Sequence, residues 1–566
     1  MHIEIVHTLA IADRQSRVCN KLHTLQVTHI KGDIPMIRHM MILTLLLTLA
    51  CTLCPGADLW DLAKANREAL TISTLFTAQN VSQYLGNEKG TQDAIDWCRA
   101  TGVTHVFIES YRDKYTAPRE LLEAARDRFH KEGFDVSGCI TPTQVGKLGT
   151  GWTAISCYTN AGTQKQLQEI FEYAASMFGE IMIDDFLFTD CRCDECKAAR
   201  GDRSWTDYRC DLMMQMSEQR ILGPVRKLNP NARIIIKYPQ WYDNFHERGY
   251  DVVRQSEAFD RTWVGTETRD YDNPQWGGKV QYEAYYIMRW LGGIGGARCG
   301  GGWFDPYGTT QDTYVEQARQ TVLADAKEML LFCYGSLLGG TGPANVEKLR
   351  TEIPGLFELA KKVRGKPIWG VAAPKAPDSD ADNEQYVYDF VGMLGLPLVP
   401  TDRIDPQARA VFLPVHSLKD PDLRSKLKSM AAAGTPILIT DGLAGRLDGM
   451  DLTGANVTVL EVKGDPRRLL QLGREQLNAI RDKMLAPLGI RFDAPNKVAL
   501  YLIGDDVIVI ENFNDEAVDV RLDMSAPLSA TMTLVLPVGG KADLSCEGKT
   551  VRLGGLAPRT MVLMEY

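Results

Sequence analysis

Between residues 69 and 335 the chain alternates eight β-type apolar runs with amphipathic helical stretches, and this alternation restricts the fold more than any other feature. The runs are 69–76, 103–110, 134–141, 180–188, 232–239, 261–268, 296–304 and 328–335. Helical patterns such as 163–178 and 313–326 lie between them. Runs such as ARIIIKYP (232–239) do not alternate apolar with polar, which suits strands covered on both faces. Eight strands with eight helices close naturally as a (β/α)₈ barrel, placed here at 58–365.

Two further units fit within 566 residues. Residues 366–490 carry short buried-type strands (KPIWGVAAP, LPLVP, RAVFLPV, TPILITDG) separated by helical EQYVYDFVGML and LRSKLKSMAAA, and 466–490 is helical. No Gly-rich phosphate loop follows the first of these strands, so the unit does not bind nucleotide. Residues 491–566 turn to short alternating strands with Gly-, Asp- and Asn-rich turns, a small antiparallel β-sandwich.

Residues 1–57 read as a leader. MILTLLLTLA (41–50) follows Arg38 and His39 and precedes CTLCPGA, the layout of a secretory signal, with a true start expected at Met36 or Met40. The run is too short to span a bilayer, which needs about 20 residues. We therefore expect export to the periplasm or beyond, by a cleaved signal or with lipid on Cys51. No other apolar run is long, so no transmembrane domain is expected. The balance of 63 Lys+Arg against 72 Asp+Glu contains no basic block and speaks against a nucleic-acid partner.

Polar, aromatic and Gly-rich residues gather after each barrel strand, where barrels build their active sites. They include Glu109, Ser110, Tyr111 and Arg112; Asp184 and Asp185; Lys237, Tyr238 and Trp241; Glu267, Arg269 and Asp270; and Trp303, Asp305 and Tyr307. Glycoside hydrolysis needs two carboxyl groups flanking the scissile bond, one of them protonated near neutrality. Asp185, with Asp184, is the candidate acid/base; the alternative is a pair that caps the next helix. Glu267 and Asp305 compete as the second carboxylate. Glu109, Arg112, Lys237, Tyr238 and Arg269 are candidate substrate-binding groups; the alternative for Glu109 is that it simply pairs with Arg112. Trp152, Trp241, Trp263 and Trp303 offer faces that stack on sugar rings, or else packing. Neither H-E-x-x-H nor G-x-S-x-G occurs, which argues against a catalytic zinc hydrolase or a serine elbow.

Three thiols in Cys191-Arg-Cys193-Asp-Glu-Cys196 have the spacing to converge on a tetrahedral zinc. Cys157 is the nearest candidate for a fourth ligand, with Cys139 and Cys210 as alternatives, and disulfides are the competing state in an oxidising compartment. Four thiolates leave no open position, so the zinc would be structural. No organic cofactor is expected.

IMIDDF (181–186), DCRCDECKAARGDRSW (190–205) and SCYTNAGTQKQLQEIF (156–171) together resemble the family-42 glycoside hydrolases, bacterial β-galactosidases. In that family a strand-four acid/base is followed by a C-x-C-x-x-C zinc cluster. The resemblance implies an α/β chain made of a TIM barrel, a flavodoxin-like trimerisation domain and a C-terminal β domain. It places the fourth zinc ligand at Cys157 and implies a homotrimer. The family's strand four ends in Asn-Glu where this chain has Asp184-Asp185, which aligns Asp185 with the acid/base, and the strand-seven Glu motif is not intact. The expectation is an exported glycoside hydrolase acting on an oligo- or polysaccharide. The competing functions are a non-catalytic carbohydrate-binding barrel and a structural or assembly protein.

Overall fold

The computed structural model describes residues 58–566, apart from 451, 453, 455 and 528. The expected leader and Cys51 lie outside the described residues. Eight parallel strands follow in chain order: β1 (Thr71–Phe76), β2 (His105–Arg112), β3 (Asp135–Ile140), β4 (Glu180–Ile183), β5 (Arg233–Tyr238), β6 (Arg261–Gly265), β7 (Cys299–Phe304) and β8 (Glu328–Leu331). Each pairs with the next, and β8 pairs with β1, so the barrel is closed. A two-residue strand, Tyr115–Thr116, adds an antiparallel fringe to β2.

The barrel interior explains where the functional groups go. Leu75, Phe107, Cys139, Met182, Ile235, Trp263, Trp303 and Leu330, one from each strand, form a single buried cluster. Side chains alternate along a strand, so the residue two positions on faces the same way. Those positions are Glu109, Thr141, Asp184, Lys237, Gly265, Asp305 and Phe332 on seven of the strands. The apolar plug is thus capped by a polar layer at the C-terminal rim.

Five parallel strands form the second sheet: β9 (Val371–Pro374), β10 (Leu398–Thr401), β11 (Val411–Leu413), β12 (Ile437–Thr440) and β13 (Val457–Leu460). Their order, β10-β9-β11-β12-β13, is that of flavodoxin-like sheets. β13 was not expected, because its residues are mostly half-exposed and lack the buried-run signature of the other four. The C-terminal region is two four-stranded antiparallel sheets. β14 (Ile490–Asp493), β15 (Val498–Ile503), β16 (Val507–Asn512), β17 (Val518–Met524), β18 (Thr531–Leu536), β19 (Asp543–Glu547), β20 (Thr550–Leu556) and β21 (Thr560–Glu565) assemble as β14-β17-β20-β19 and β15-β16-β21-β18.

The second sheet is locked to the barrel through buried polar contacts. From the barrel helix Tyr282–Gly295, Tyr286 donates to the Ala373 carbonyl (3.2 Å) and Trp290 to that of Lys375 (2.9 Å). Asp243, just after β5, bonds His416 Nε2 at 2.9 Å and accepts the Tyr386 N–H at 2.7 Å. Among the described residues no helix is long and apolar enough to cross a membrane.

Candidate active site

At the C-terminal rim the inward layer opens into a cavity of about 590 Å³. Arg112, Asp184, Asp185, Lys237, Trp241, Glu267, Arg269, Trp303 and Asp305 all line it, as does Trp152. These residues come from the C-terminal ends of six different strands and the loops after them, so the fold brings together groups as far apart in sequence as Arg112 and Asp305.

The run expected to continue as a strand to residue 188 ends at Ile183. Asp184 stops it: its Oδ1 accepts the N–H of Asp185 (2.8 Å), while its carbonyl accepts that of Phe186 (2.7 Å). The resulting turn breaks the alternation and points Asp185 into the same cavity as Asp184. Phe186 and Phe188 therefore line the cavity instead of the barrel wall.

Lys237 is the hub. Its Nζ lies 3.0 Å from Asp185 Oδ2, 3.0 Å from Glu267 Oε1 and 3.5 Å from Asp184 Oδ1, and its ammonium sits 4.2 Å from the Trp303 ring centroid. Those Asp185 and Glu267 oxygens are therefore no further apart than twice the 3.0 Å bond. Gly265 makes room for this: a Cβ there would lie 2.5 Å from Glu267 Oε2. With its side-chain amide oriented to satisfy both neighbours, Gln240 donates to Glu267 Oε2 (3.3 Å) and accepts from Arg269 Nη1 (3.1 Å).

On either side stand two ion-paired struts. Arg112 bonds Glu109 through Nε (2.8 Å) and Nη2 (3.1 Å) and reaches Asp184 Oδ2 at 2.8 Å. Arg269 grips Asp305 with Nε (3.2 Å) and Nη2 (2.6 Å). The site thus holds five carboxyl groups against three cations in a buried setting, so full ionisation is unfavourable. Asp185 bears most of the imbalance. Burial, against the pull of Lys237 and reinforced by the Asp184 and Glu267 charges, raises it to about 8. Asp184 is buried too, but Lys237 and Arg112 outweigh that and hold it at about 2. Burial lifts Asp305 to about 6 despite Arg269. Two carboxyls pushed in opposite directions side by side is the pattern of a divided acid/base assignment.

Three expected site residues are placed otherwise. Tyr238 has outward parity on β5; it is fully buried with its hydroxyl 3.3 Å from Ser256 Oγ and does not line the cavity. Trp263 faces inward but one layer too deep, inside the apolar plug. Glu109 is fully buried, and its oxygens are occupied by Arg112, Thr141 and the Ala78 N–H, so it braces Arg112 and has no face for a sugar hydroxyl. Conversely, Phe186, Phe188, Gln240, Asn244, Arg248, Trp276 and Phe332 line the cavity without having been singled out. Strand parity marks Phe332 in advance, being two residues past Leu330. The others sit in loops or in the short helical turns Tyr242–Asn244 and Phe245–Arg248, whose paths no periodicity encodes.

Cys157, in the loop after β3, meets Cys191, Cys193 and Cys196, in the loop after β4, with all four sulfurs within 4.8 Å of one another. Cys157 lies 3.7 and 3.6 Å from Cys193 and Cys196, which are themselves 3.7 Å apart. Four sulfurs at about 2.3 Å around a tetrahedral zinc would be separated by about 3.8 Å, so the donor set fits that ion. All four thiols are free, and Cys139 and Cys210 are outside the cluster. The cluster joins two rim loops next to Trp152, whose N–H bonds Asp190 at 2.8 Å.

Comparisons with known proteins agree with this architecture. An uncharacterized protein of Saccharolobus solfataricus is 24% identical over 357 residues, 56% of this chain and 58% of that relative, so the chain spans less than two thirds of its length. Among solved structures, α-L-fucosidase isoenzyme 2 from Paenibacillus thiaminolyticus superposes with a TM-score of 0.62 at 10% identity, covering 88% of this chain and 99% of that one. A catalytic mutant of a family-42 β-galactosidase from G. stearothermophilus gives 0.56 at 9% identity, covering 88% and 98%. At these identities the likeness concerns the fold, and it is the fold the family-42 resemblance implied. A family model spans residues 59–357, the barrel with all its rim carboxylates and more than half of the sequence. By that match the chain belongs to the family described as "Probable glycosyl hydrolase, catalytic domain".

Proposed function

We propose that the protein is a retaining glycoside hydrolase in which Asp185 is the general acid/base and Glu267 the nucleophile. The observation that carries this is the shared Lys237 ammonium, 3.0 Å from both carboxyls. It keeps them near the ~5–5.5 Å separation of retaining enzymes and below the ~6.5–9.5 Å that leaves room for an inverting water. Asp305 is the weaker choice because it does not share the Lys237 ammonium with Asp185 and is instead gripped by Arg269. Asp185 is preferred to Asp184 because its side chain is 16% exposed against 3%.

In the first step Glu267 attacks the anomeric carbon while Asp185 gives its proton to the departing glycosidic oxygen, leaving a glycosyl ester on Glu267. In the second, Asp185 takes a proton from water as that water attacks the same carbon, and Glu267 leaves as carboxylate. Burial and the Asp184 charge keep the proton on Asp185 at neutral pH. Lys237 stabilises the Glu267 charge in the free enzyme and on departure. Trp152 and Trp241 offer faces to the sugar, whereas the Trp303 ring is taken up by Lys237 and Phe332.

The four cysteines hold a structural zinc in this reading. It would tie the loops after β3 and β4 together and add no reactive position. Export rests on the leader alone. Trimerisation rests on the family-42 resemblance, and light scattering reads it.

A panel of aryl glycosides, begun with galactosides and fucosides because the structural neighbours act on those sugars, tests the proposal. Wild-type protein should hydrolyse at least one, and NMR of the first-released sugar should give the anomer of the substrate. Glu267→Gln should lose at least a hundredfold on every aryl glycoside turned over, and Asp185→Asn at least a hundredfold on the phenyl glycoside. Release of the opposite anomer, or full activity in either variant, would overturn the assignment.

A further inference from the structure

Resting on the glycosidase reading, we infer that the cleft beside Trp276 and Tyr307 is a second saccharide subsite, so that the substrate is an oligosaccharide running out of the main cavity across these two rings. Trp276 and Tyr307 border both the main cavity and a neighbouring cleft of about 350 Å³. They are 42% and 39% exposed, lie 6.4 Å apart between ring centroids and are tilted by only 29°. Two adjacent, nearly parallel aromatic faces left open to water cost solvation free energy and mark a binding surface.

The shelf is built rather than incidental. Asn273 Oδ1 accepts the N–H of Trp276 (2.9 Å) and of Gln275 (3.0 Å). Gly308, at φ +61°, lets the loop after β7 press against the indole, where a Cβ would fall 2.7 Å from Trp276 Cβ. Tyr307 is fixed by its hydroxyl, 2.7 Å from Ser336 Oγ. The Arg269 guanidinium covers the indole 4.8 Å from the ring centroid, and Arg269 is the residue that holds Asp305 and Gln240. One unbroken set of contacts therefore runs from Glu267 to the shelf.

The chemistry of the cleft selects the ligand class. None of its lining residues is charged; beyond the two rings it offers glycines, Pro306, Ser336 and Thr341. The Arg269 guanidinium over the indole is already paired with Asp305, so an anion, a cation or a charged peptide finds no free counter-ion there. A neutral pyranose does fit, with apolar C–H faces for the rings and hydroxyls for Ser336, Thr341 and the glycine backbone.

The test compares chain lengths. On the sugar turned over in the aryl-glycoside panel, kcat/KM is measured for the aryl monosaccharide and for oligosaccharides of two to five units. Calorimetry with cello-, manno-, xylo- and galacto-oligosaccharides reads binding independently of turnover. In wild type, kcat/KM or affinity should rise at least tenfold as the chain lengthens. Trp276→Ala should cut the oligosaccharide-to-monosaccharide ratio at least tenfold, and Trp276→Phe should restore most of it. A flat length dependence in wild type, or equal losses on short and long substrates in Trp276→Ala, would overturn the subsite while leaving the hydrolase standing. Failure to cleave any glycoside, with length-dependent binding lost in Trp276→Ala, would overturn the hydrolase and keep the subsite.

Discussion

Replacing Lys237 by Met keeps an unbranched side chain, one atom shorter, and removes the charge at the centre of the site. In the wild type that ammonium lies 3.0 Å from two carboxyl oxygens and 3.5 Å from a third, with its side chain 1% exposed. Breaking a buried pair by deleting one partner costs ~3–5 kcal/mol, because the remaining charges lose compensation. With ~2.1 cal/mol/K of unfolding entropy per residue over roughly 300–500 cooperative residues, this is a Tm loss of about 3–8 °C at pH 7.5. The loss must depend on pH in a definite direction. Without Lys237, the buried Asp184 loses the largest attraction that holds it at about 2 and binds its proton more tightly in the folded state. Folded carboxyls with raised affinity gain stability as pH falls, so the deficit of Lys237→Met shrinks toward pH 5. Differential scanning calorimetry of both proteins at pH 5.0 and 7.5 measures it. A deficit of equal size at the two pH values would refute the reasoning, because a purely steric defect is indifferent to protonation.

Three other outcomes follow from the same contacts. As general acid Asp185 must keep its proton, so kcat/KM should fall as pH rises through about 8; Asp184→Asn removes a charge that raises Asp185 and should move that alkaline limb at least one unit lower in a pH–rate profile. Elemental analysis should find one zinc per chain in wild type and a substoichiometric amount in Cys193→Ser, with a lower Tm in the variant or after chelation; metal-free wild type with unchanged Tm would contradict the assignment. His416→Ala removes one of the partners of Asp243 in the barrel–sheet interface, leaving the Tyr386 N–H and Lys375, and should cost ~1–3 kcal/mol while raising KM, because Asp243 anchors the segment carrying Gln240, Trp241 and Asn244; His416→Gln should recover part of both.

Much of this arrangement could be read before any coordinates. The eight apolar runs located all eight barrel strands, because a strand buried on both faces leaves an unbroken apolar signature. The C-x-C-x-x-C spacing located the thiol cluster, because ligand spacing is a local property. The rim carboxylates were identified by their place after strands, and parity along each strand explains why Glu109, Asp184, Lys237 and Asp305 point inward while Tyr238 does not. Trp263 was misplaced because proximity to a strand end does not fix depth: it fills the plug one layer below Lys237. Asp185 enters the cavity through a local turn that its own neighbour creates, which a period of two does not encode. Trp276 lies in a long loop whose path depends on contacts such as that with Gly308, and Arg248 ends a one-turn helix, Phe245–Arg248, too short to show a period; no pattern in the chain announces either. β13 escaped because an edge strand with half-exposed residues has no buried run to detect.

The division of labour between Asp185 and Glu267 is tested most directly by the leaving-group dependence of Asp185→Asn. kcat/KM is measured for wild type and variant on phenyl, nitrophenyl and dinitrophenyl glycosides of one sugar. A departing dinitrophenolate needs no proton, whereas phenolate does. The variant should therefore lose ~10²–10⁴-fold on the phenyl glycoside and less than about tenfold on the dinitrophenyl one. The same loss on every leaving group would mean that Asp185 does not deliver the proton.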